Sequence, residues 1–255
     1  MLIAIDIGNT NIKVGEFTDN RLIRITKFEK VESAIDRISS IKTENAAISS
    51  VVPAKTKLIS EEIKKANKKE PFLITKEIKT NLMIIYKSFE TLGIDRLCSA
   101  EGAFYLYKKS EEYKNYNNKT FIISIDMGTA TTINIIKYPR EFIGGLISPG
   151  IEMMFEALPN QTAQLPKVEV KDFNSFIGND TKSSIASGVI SSAVGTVDRI
   201  INHLKKEHFA KEVFVYLTGG NAKKIIPYLN LDFIYEEGLV LYGINALWKL
   251  NKSSN

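Results

Sequence analysis

Two aspartates occupy matching places in this chain. The stretch "IAIDIGNTNIKVGEF" (3–17) carries Asp6 two positions before Gly8, and "FIISIDMGTATTINII" (121–136) carries Asp126 two positions before Gly128. Each runs from an apolar segment through an acid, a glycine and a Thr-bearing turn into a second apolar segment. A turn held between buried strands presents its backbone amides rigidly, and a positive φ at Gly8 would let an anion approach them. Asn9, Thr10 and Thr129 add side-chain donors suited to phosphate. Asp6 itself repels phosphate, so its carboxylate makes sense there with a cation in between. One such motif is equally a strand-end aspartate in an ordinary turn. Two with matched flanks favour a phosphate-and-cation clamp built from both.

Phosphoryl chemistry also needs an acceptor side, and "YKSFETLGIDRLC" (86–98) is the best candidate. Gly93 can close a turn before a helix. Asp95 then lies near the helix N-terminus, where its charge is stabilised or where it acts as a structural cap. Arg96 can grip a carboxylate in two-pronged fashion. Tyr86 is either core or the wall of an apolar slot. Gly144-Gly145 and Gly219-Gly220 are tight turns or points of backbone approach, and Gly219, Gly220 and Asn221 could flank a base or ribose.

The elements that must position these residues follow from the pattern of apolar residues. Strands are expected at 2–7, 12–17 and 21–28, a helix at 32–41, a parallel strand at 45–52, a basic helix after Pro53 and a strand at 71–75. A helix over 94–108 and a polar boundary at 108–119 come next. The meander restarts with strands at 121–126, 131–138 and 142–147, and "SPG" (148–150) leads into a helix. The longest helix is expected at 184–203, a strand ending in a glycine turn at 212–220, an amphipathic closing helix at 236–250 and a frayed tail at 251–255. Asp6 and Asp126 are 120 residues apart in equivalent surroundings, which reads as a duplication into two α/β lobes with a cleft between them.

Bulk properties exclude several classes. The chain has 255 residues, 44% hydrophobic and 25% charged, enough for one large domain or two compact lobes. No apolar run reaches membrane-spanning length, and "MLIAIDIGN" has no basic leader of a signal peptide. One cysteine, Cys98, suits the cytoplasm and leaves no cysteine-rich metal site; His203 and His208 form no zinc motif. The net charge of +5 draws heavily on residues 55–79, with eight Lys and four Glu, which read as a solvated helix face rather than a nucleic-acid surface. Neither a P-loop, a dinucleotide fingerprint, a hydrolase nucleophile elbow nor a protein-kinase signature is present.

With these residues in hand, the sequence resembles the type III pantothenate kinase family across essentially its whole length. The resemblance is carried by "DIGNTN" (6–11), "GIDR" (93–96), "DMGTATT" (126–132), "GGLISPG" (144–150) and "TGG" (218–220), in order and spacing. It implies the acetate/sugar kinase–Hsp70–actin superfold, α/β, with ribonuclease-H-like lobes at 1–117 and 118–255. It also implies transfer of the ATP γ-phosphoryl to the hydroxyl of pantothenate, giving 4'-phosphopantothenate for coenzyme A synthesis in the cytoplasm. Asp6, Ile7, Gly8, Asn9, Thr10, Asn11, Ile12 and Lys13 match the first ATP phosphate segment, and Thr129 a further ATP contact. Asp126 matches the ligand of a monovalent cation (K⁺ or NH₄⁺), and Asp6 is a candidate contact for the Mg²⁺ that accompanies ATP. Asp95 matches the catalytic proton acceptor. Gly93, Ile94, Asp95 and Arg96 match a substrate segment, joined by Tyr86 and Thr181. Family members are homodimers, with helices around Phe104-Tyr105 and over 184–203 the candidate contact surfaces here; no nucleic acid or membrane is implied.

Three positions differ from the usual family pattern: Ser88-Phe89 where Asn-Pro is common, Asn134 where an acid is common, and Asn179 where Lys is common. The rival readings are a sugar or acetate kinase of the same superfold, which gives "GIDR" no task, a phosphate-releasing hydrolase, and a non-enzymatic nucleotide-binding regulator.

Overall fold

The computed structural model describes residues 1–43, 45–115 and 117–252. The polar boundary at 108–119 therefore includes one residue outside this set, and of the tail only Asn251 and Lys252 fall within it, as the end of the last helix.

The first sheet is built from β1 (Leu2–Ile7), β2 (Ile12–Thr18), β3 (Arg21–Phe28), β4 (Ala46–Ser50) and β5 (Phe72–Leu73), with α1 (Val31–Ser40) and α2 (Pro53–Asn67) between them. Its order is β3-β2-β1-β4-β5. The hairpin partners are antiparallel, and β4 joins β1 in parallel. After β6 (Met83–Ile84) and α3 (Ile94–Lys109), the same plan repeats in β7 (Thr120–Met127), β8 (Ala130–Lys137), β9 (Glu141–Pro149), α4 (Ile151–Gln161), α5 (Thr181–Glu207), β10 (Glu212–Thr218), α6 (Ala222–Ile225), β11 (Ile234–Tyr235) and α7 (Leu239–Lys252). The second sheet runs β11-β10-β7-β8-β9-β6. Apart from the added edge strand β6, it reproduces the first sheet's order strand for strand, which is the expected duplication.

Strand parity decides where the chemistry points. In β1, Ile3, Ile5 and Ile7 pack outward with Ile38, Ile59 and Ile63 of α1 and α2, while Leu2 and Ala4 pack inward with Leu241 and Ile244 of α7. In β7, Phe121, Ile123 and Ile125 pack with the α4–α5 side, and Ile122 packs inward with Leu97 and Phe104 of α3. Side chains alternate along a strand, so Asp6 and Asp126, both at even positions, lie on the two inner faces.

Those inner faces are covered crosswise. α7, from the end of the chain, packs on the first sheet, whereas α3, from the first half, packs on the second. The strand β6 likewise pairs in parallel with β9. The two inner helices touch at backbone distance: a Cβ on Gly102 would sit 2.0 Å from the Leu239 carbonyl oxygen, and one on Gly243 would sit 1.8 Å from that of Cys98. Only glycine permits this approach. Phe104 is buried in the inner core (4% exposed) and Tyr105 stacks on Tyr242 of α7, so both side chains pack within their own chain. No helix among the described residues is long and apolar enough to cross a membrane.

Candidate active site

The inner faces enclose a cleft of about 670 Å³, lined by Asp6, Lys13, Asp95 and Asp126 together with both glycine turns. Asp6 and Asp126 each occupy the penultimate position of the central strand of their sheet, where the strand opens into its turn. In the first turn the Gly8 N–H donates to the Asn11 carbonyl at 3.0 Å; in the second the Gly128 N–H donates to the Ala130 carbonyl at 3.1 Å. The tips meet, with Thr10 Oγ1 and Thr129 Oγ1 3.0 Å apart. Gly8 does not use the positive φ expected of it; a Cβ there would come 3.3 Å from the Asn11 carbonyl, so what it provides is a tight closure. Positive φ occurs instead at Gly219 (104°), where a Cβ would lie 2.4 Å from the Met127 backbone.

The electrostatics of the two strand-end aspartates follow from their burial and from the charges of Lys13 and the neighbouring aspartates. Burial pushes the Asp6 carboxyl up to about 7; Lys13 opposes this, and the charges of Asp126 and Asp95 add to it. Asp126 is raised for the same reason, burial first, with Lys13 opposing and Asp95 adding. A carboxylate so placed favours either a proton or a cation. Among the described residues no three His, Cys, Asp or Glu side chains converge as a metal-holding group. The raised carboxyls of Asp6 and Asp126 nevertheless fit a cation brought in with phosphate oxygens.

Asp95 lies in the first turn of α3, after Gly93 at the N-cap. Its Oδ1 accepts from the Arg96 N–H at 2.8 Å, and a Cβ on Gly93 would sit 2.4 Å from that oxygen, so the glycine makes room for the carboxylate. Arg96 turns the other way, into the inner core, at 5% exposure. Its guanidinium stands 5.7 Å from the ring centre of Tyr86 and 6.0 Å from that of Phe142. Tyr86 thus flanks Arg96 beside Gly144 and does not line the main cleft.

The remaining expected residues separate. Ile7, Gly8, Asn9, Thr10 and Asn11 line the cleft, whereas Ile12 is buried in the outer core and Ile94 packs against the inner one. Thr181 begins α5 and lines a different, open groove of about 1050 Å³ between α4 and α5; Met153 borders both spaces.

Some supporting residues were not singled out from the sequence. Lys55 Nζ donates to the carbonyls of Asn9 (2.9 Å) and Gly8 (3.4 Å), pinning the first turn from α2. In the sequence it is one lysine of a basic helix, and the signal that sets it apart is its place just after Pro53, where α2 begins beyond β4. Lys27 of β3 lines the cleft directly opposite Lys13 of β2. Asn221, expected near a base or ribose, braces the second turn: its Nδ2 donates to Gly128 O at 3.1 Å and its N–H to Met127 O at 2.9 Å.

Comparison with known proteins agrees with this arrangement. The family model for type III pantothenate kinase matches residues 2–203. The type III pantothenate kinase of Finegoldia magna is 33% identical over 271 aligned residues, covering 99% of this chain and 98% of its own. That of Syntrophus aciditrophicus is 31% identical over 265, covering 98% and 100%. Among solved structures, a Campylobacter jejuni protein assigned to the Baf family of transcriptional activators superposes with a TM-score of 0.56 at 21% identity, covering 98% of this chain and 99% of that one. A glucokinase from an Antarctic psychrotroph does so at 0.50 and 10% identity, covering 97% and 98%. At such identities the structural likeness speaks to the fold, which is the two-lobed actin-like arrangement. The chain belongs to the type III pantothenate kinase family.

Proposed function

We propose that this protein transfers the γ-phosphoryl group of ATP to the terminal hydroxyl of pantothenate, giving 4'-phosphopantothenate and ADP, the first step of coenzyme A synthesis. The observation that carries the reading is the convergence of Asp6, Asp95, Asp126 and Lys13 on one cleft between two joined phosphate-type turns. The division into lobes at 1–117 and 118–255 belongs to the same reading for the duplicated strands, with β6, α3 and α7 crossing over to the opposite sheet and ATP between the two sheets.

Phosphoryl transfer depends on positioning and charge neutralisation more than on covalent help from the protein. The turn amides, Asn9, Thr10, Thr129 and Lys13 bind and align the polyphosphate. Asp6 would hold a divalent ion arriving with ATP and Asp126 a monovalent one, and such ions offset phosphate charge. Asp95 orients the acceptor hydroxyl and takes its proton as the new bond forms, a task that needs no strong base in a loose transition state. Arg96, flanked by Tyr86, receives the pantothenate carboxylate. A neutral sugar would leave this buried cation without a partner, which favours an acid over the sugar-kinase alternative.

A homodimer is part of the proposal. Exposed Ile147, Met153, Phe176 and Ile177 (64%, 45%, 76% and 80%) support it, as does the placement of Thr181 in the groove rather than the cleft. Light scattering should return twice the chain mass. A reducing cytoplasm suits the single buried Cys98 thiol.

The deciding experiment is ATP-dependent formation of 4'-phosphopantothenate by purified protein, with and without potassium, in wild type and Asp126→Asn. Turnover that potassium activates in wild type only supports the assignment. ATP binding without pantothenate-dependent turnover favours the regulator, and phosphorylation of glucose in preference favours the sugar kinase.

A further inference from the structure

One ammonium of the cleft stands without a partner. Lys27 of β3 pairs in register with Lys13 of β2 and lines the same space. Two residues earlier on the strand, Ile25 packs into the inner core with α7, so strand parity turns Lys27 to the inner face as well. Ile25 is covered by the second half of the chain, since a Cβ on Gly238 would lie 3.1 Å from its Cδ1; Lys27 lies beyond that cover and is exposed. Among the described residues its Nζ makes no ion pair or hydrogen bond. Lys224, on the opposite wall, is instead paired with Glu152 at 2.5 Å, and Lys55 is bonded to the carbonyls of the first turn. A Cβ on Gly220 would come 3.8 Å from Lys27 Nζ, so this ammonium reaches from the first sheet to the glycine turn of the second.

Strand order decides which end of a phosphoryl donor Lys27 would meet. In the first sheet β2 and β3 lie on one side of β1 and β4 on the other; in the second, β10 lies on one side of β7 and β8 on the other. The N-terminal turn of α3 stands on the β8 side, where Arg96 bonds to Asn134 and a Cβ on Gly145 of β9 would come 3.1 Å from the guanidinium. That turn carries Asp95, the acid of the acceptor side. Lys27 and Gly220, which follows β10, stand on the opposite side, with Asp6 and Asp126 on the central strands in between. A phosphoryl group passing to an acceptor at Asp95 therefore moves away from Lys27, and the phosphates it leaves behind remain beside Lys27. Lys13 is the cation that acts on both Asp6 and Asp126. A polyphosphate adds several negative charges to that space, and the free ammonium of Lys27 is placed to meet them.

We propose that Lys27 is a nucleotide-binding residue that holds the phosphates of the donor that are not transferred, closing the cleft from the first sheet against the Gly220 turn. The proposal rests on the kinase reading and adds to it a contact and the end of the donor it serves. Because ADP keeps those phosphates, the contact stabilises bound substrate and transition state alike; it sets nucleotide affinity and leaves the chemical step untouched.

The test compares wild type with Lys27→Met, Lys27→Arg and Lys57→Met, the last removing the same charge from the exposed surface of α2. Steady-state kinetics gives kcat and both KM values, and calorimetry gives the affinity for ADP with Mg²⁺. In Lys27→Met, KM for ATP and Kd for ADP should rise together by about tenfold, while kcat and KM for pantothenate stay within about twofold. Lys27→Arg keeps the charge and should stay within about threefold of wild type, and Lys57→Met within about twofold. A structural role would lower kcat or the melting temperature along with affinity, and arginine would not restore them selectively. Should Lys27→Met not fold, Lys27→Gln is read in the same way. Nucleotide affinity unchanged in the Lys27 variants, an equal loss in Lys57→Met, or a loss for ATP with none for ADP each overturns this proposal alone. Absence of pantothenate-dependent turnover in wild type that still binds ADP overturns the function and leaves the Lys27 contact to be judged by calorimetry; a wild type that binds no ADP overturns both.

Discussion

Thr10 and Thr129, 119 residues apart in sequence, share a hydrogen bond of 3.0 Å between their hydroxyls at the mouth of the cleft. Each belongs to a turn that follows the carboxylate-bearing central strand of its own sheet. The bond marks the point where the two halves of the duplication close on one ligand-sized space. Replacing either residue by Val removes a donor and leaves its partner unpaired. KM for ATP should rise about three- to tenfold in each single variant, and the double variant should fall short of the product of the two effects. Steady-state kinetics of the four proteins checks this; strict additivity would mean the two hydroxyls act independently.

Asp95 is the acid of the cleft that α3, rather than a strand, supplies. Asp95→Asn keeps the side chain's shape and its acceptor oxygen for the Arg96 N–H. It should lower kcat by about 10²- to 10⁴-fold while ATP and pantothenate binding, measured by calorimetry, stay near wild type. A variant that turns over normally would remove Asp95 from proton transfer.

The raised Asp6 carboxyl has a consequence for stability with a definite sign. Its folded value of about 7 lies above the ordinary 3.8. Between these values the folded chain keeps a proton that the unfolded chain has lost, so stability falls as pH rises through that window. Asp6→Asn removes this contribution. Without nucleotide, the variant should melt several degrees above wild type at pH 8, and the two should converge near pH 4. Thermal melts across that range decide; a variant that melts lower at pH 8 contradicts the electrostatic account. Nucleotide with Mg²⁺ should raise the melting point of wild type much more than that of the variant.

The α3–α7 crossing opposes helix propensity to packing. Gly243→Ala in an open helix would stabilise by about 1 kcal/mol. Here the added carbon would lie 1.8 Å from the Cys98 carbonyl oxygen, so the helices must part. A loss of about 3 kcal/mol or more is expected, or about 6 °C or more in Tm. Since α3 also carries Asp95 and Arg96, kcat should fall as well. Calorimetry and kinetics on the same sample test both effects.

Much of the fold was legible because its strands are apolar runs interrupted by glycine and asparagine turns. β1 and β3 fall where the periodicity put them, and β2, β7 and β8 within a residue or two. The short strands β6 and β11 are not legible in the sequence, since two paired residues leave no periodic pattern. Ser184 marked the longest helix too late by three residues, because its Asp180 cap sits in a polar loop that resembles ordinary turn sequence.

The carboxylates themselves, their 120-residue spacing and the Gly-Thr turns are local features, and local features survive in a linear string. Their types, order and parity were enough to imply two matched units facing one ligand. What only the tertiary structure decided is which groups meet once the halves interlock. It sent α7 to the first sheet and α3 to the second, placed Lys55 under the first turn, separated Thr181 from the cleft, and set Asn134 against Arg96. These pairings join residues far apart in the chain, and they arise because each sheet has an apolar inner face that must be covered; no run of neighbouring residues encodes which helix arrives to cover it.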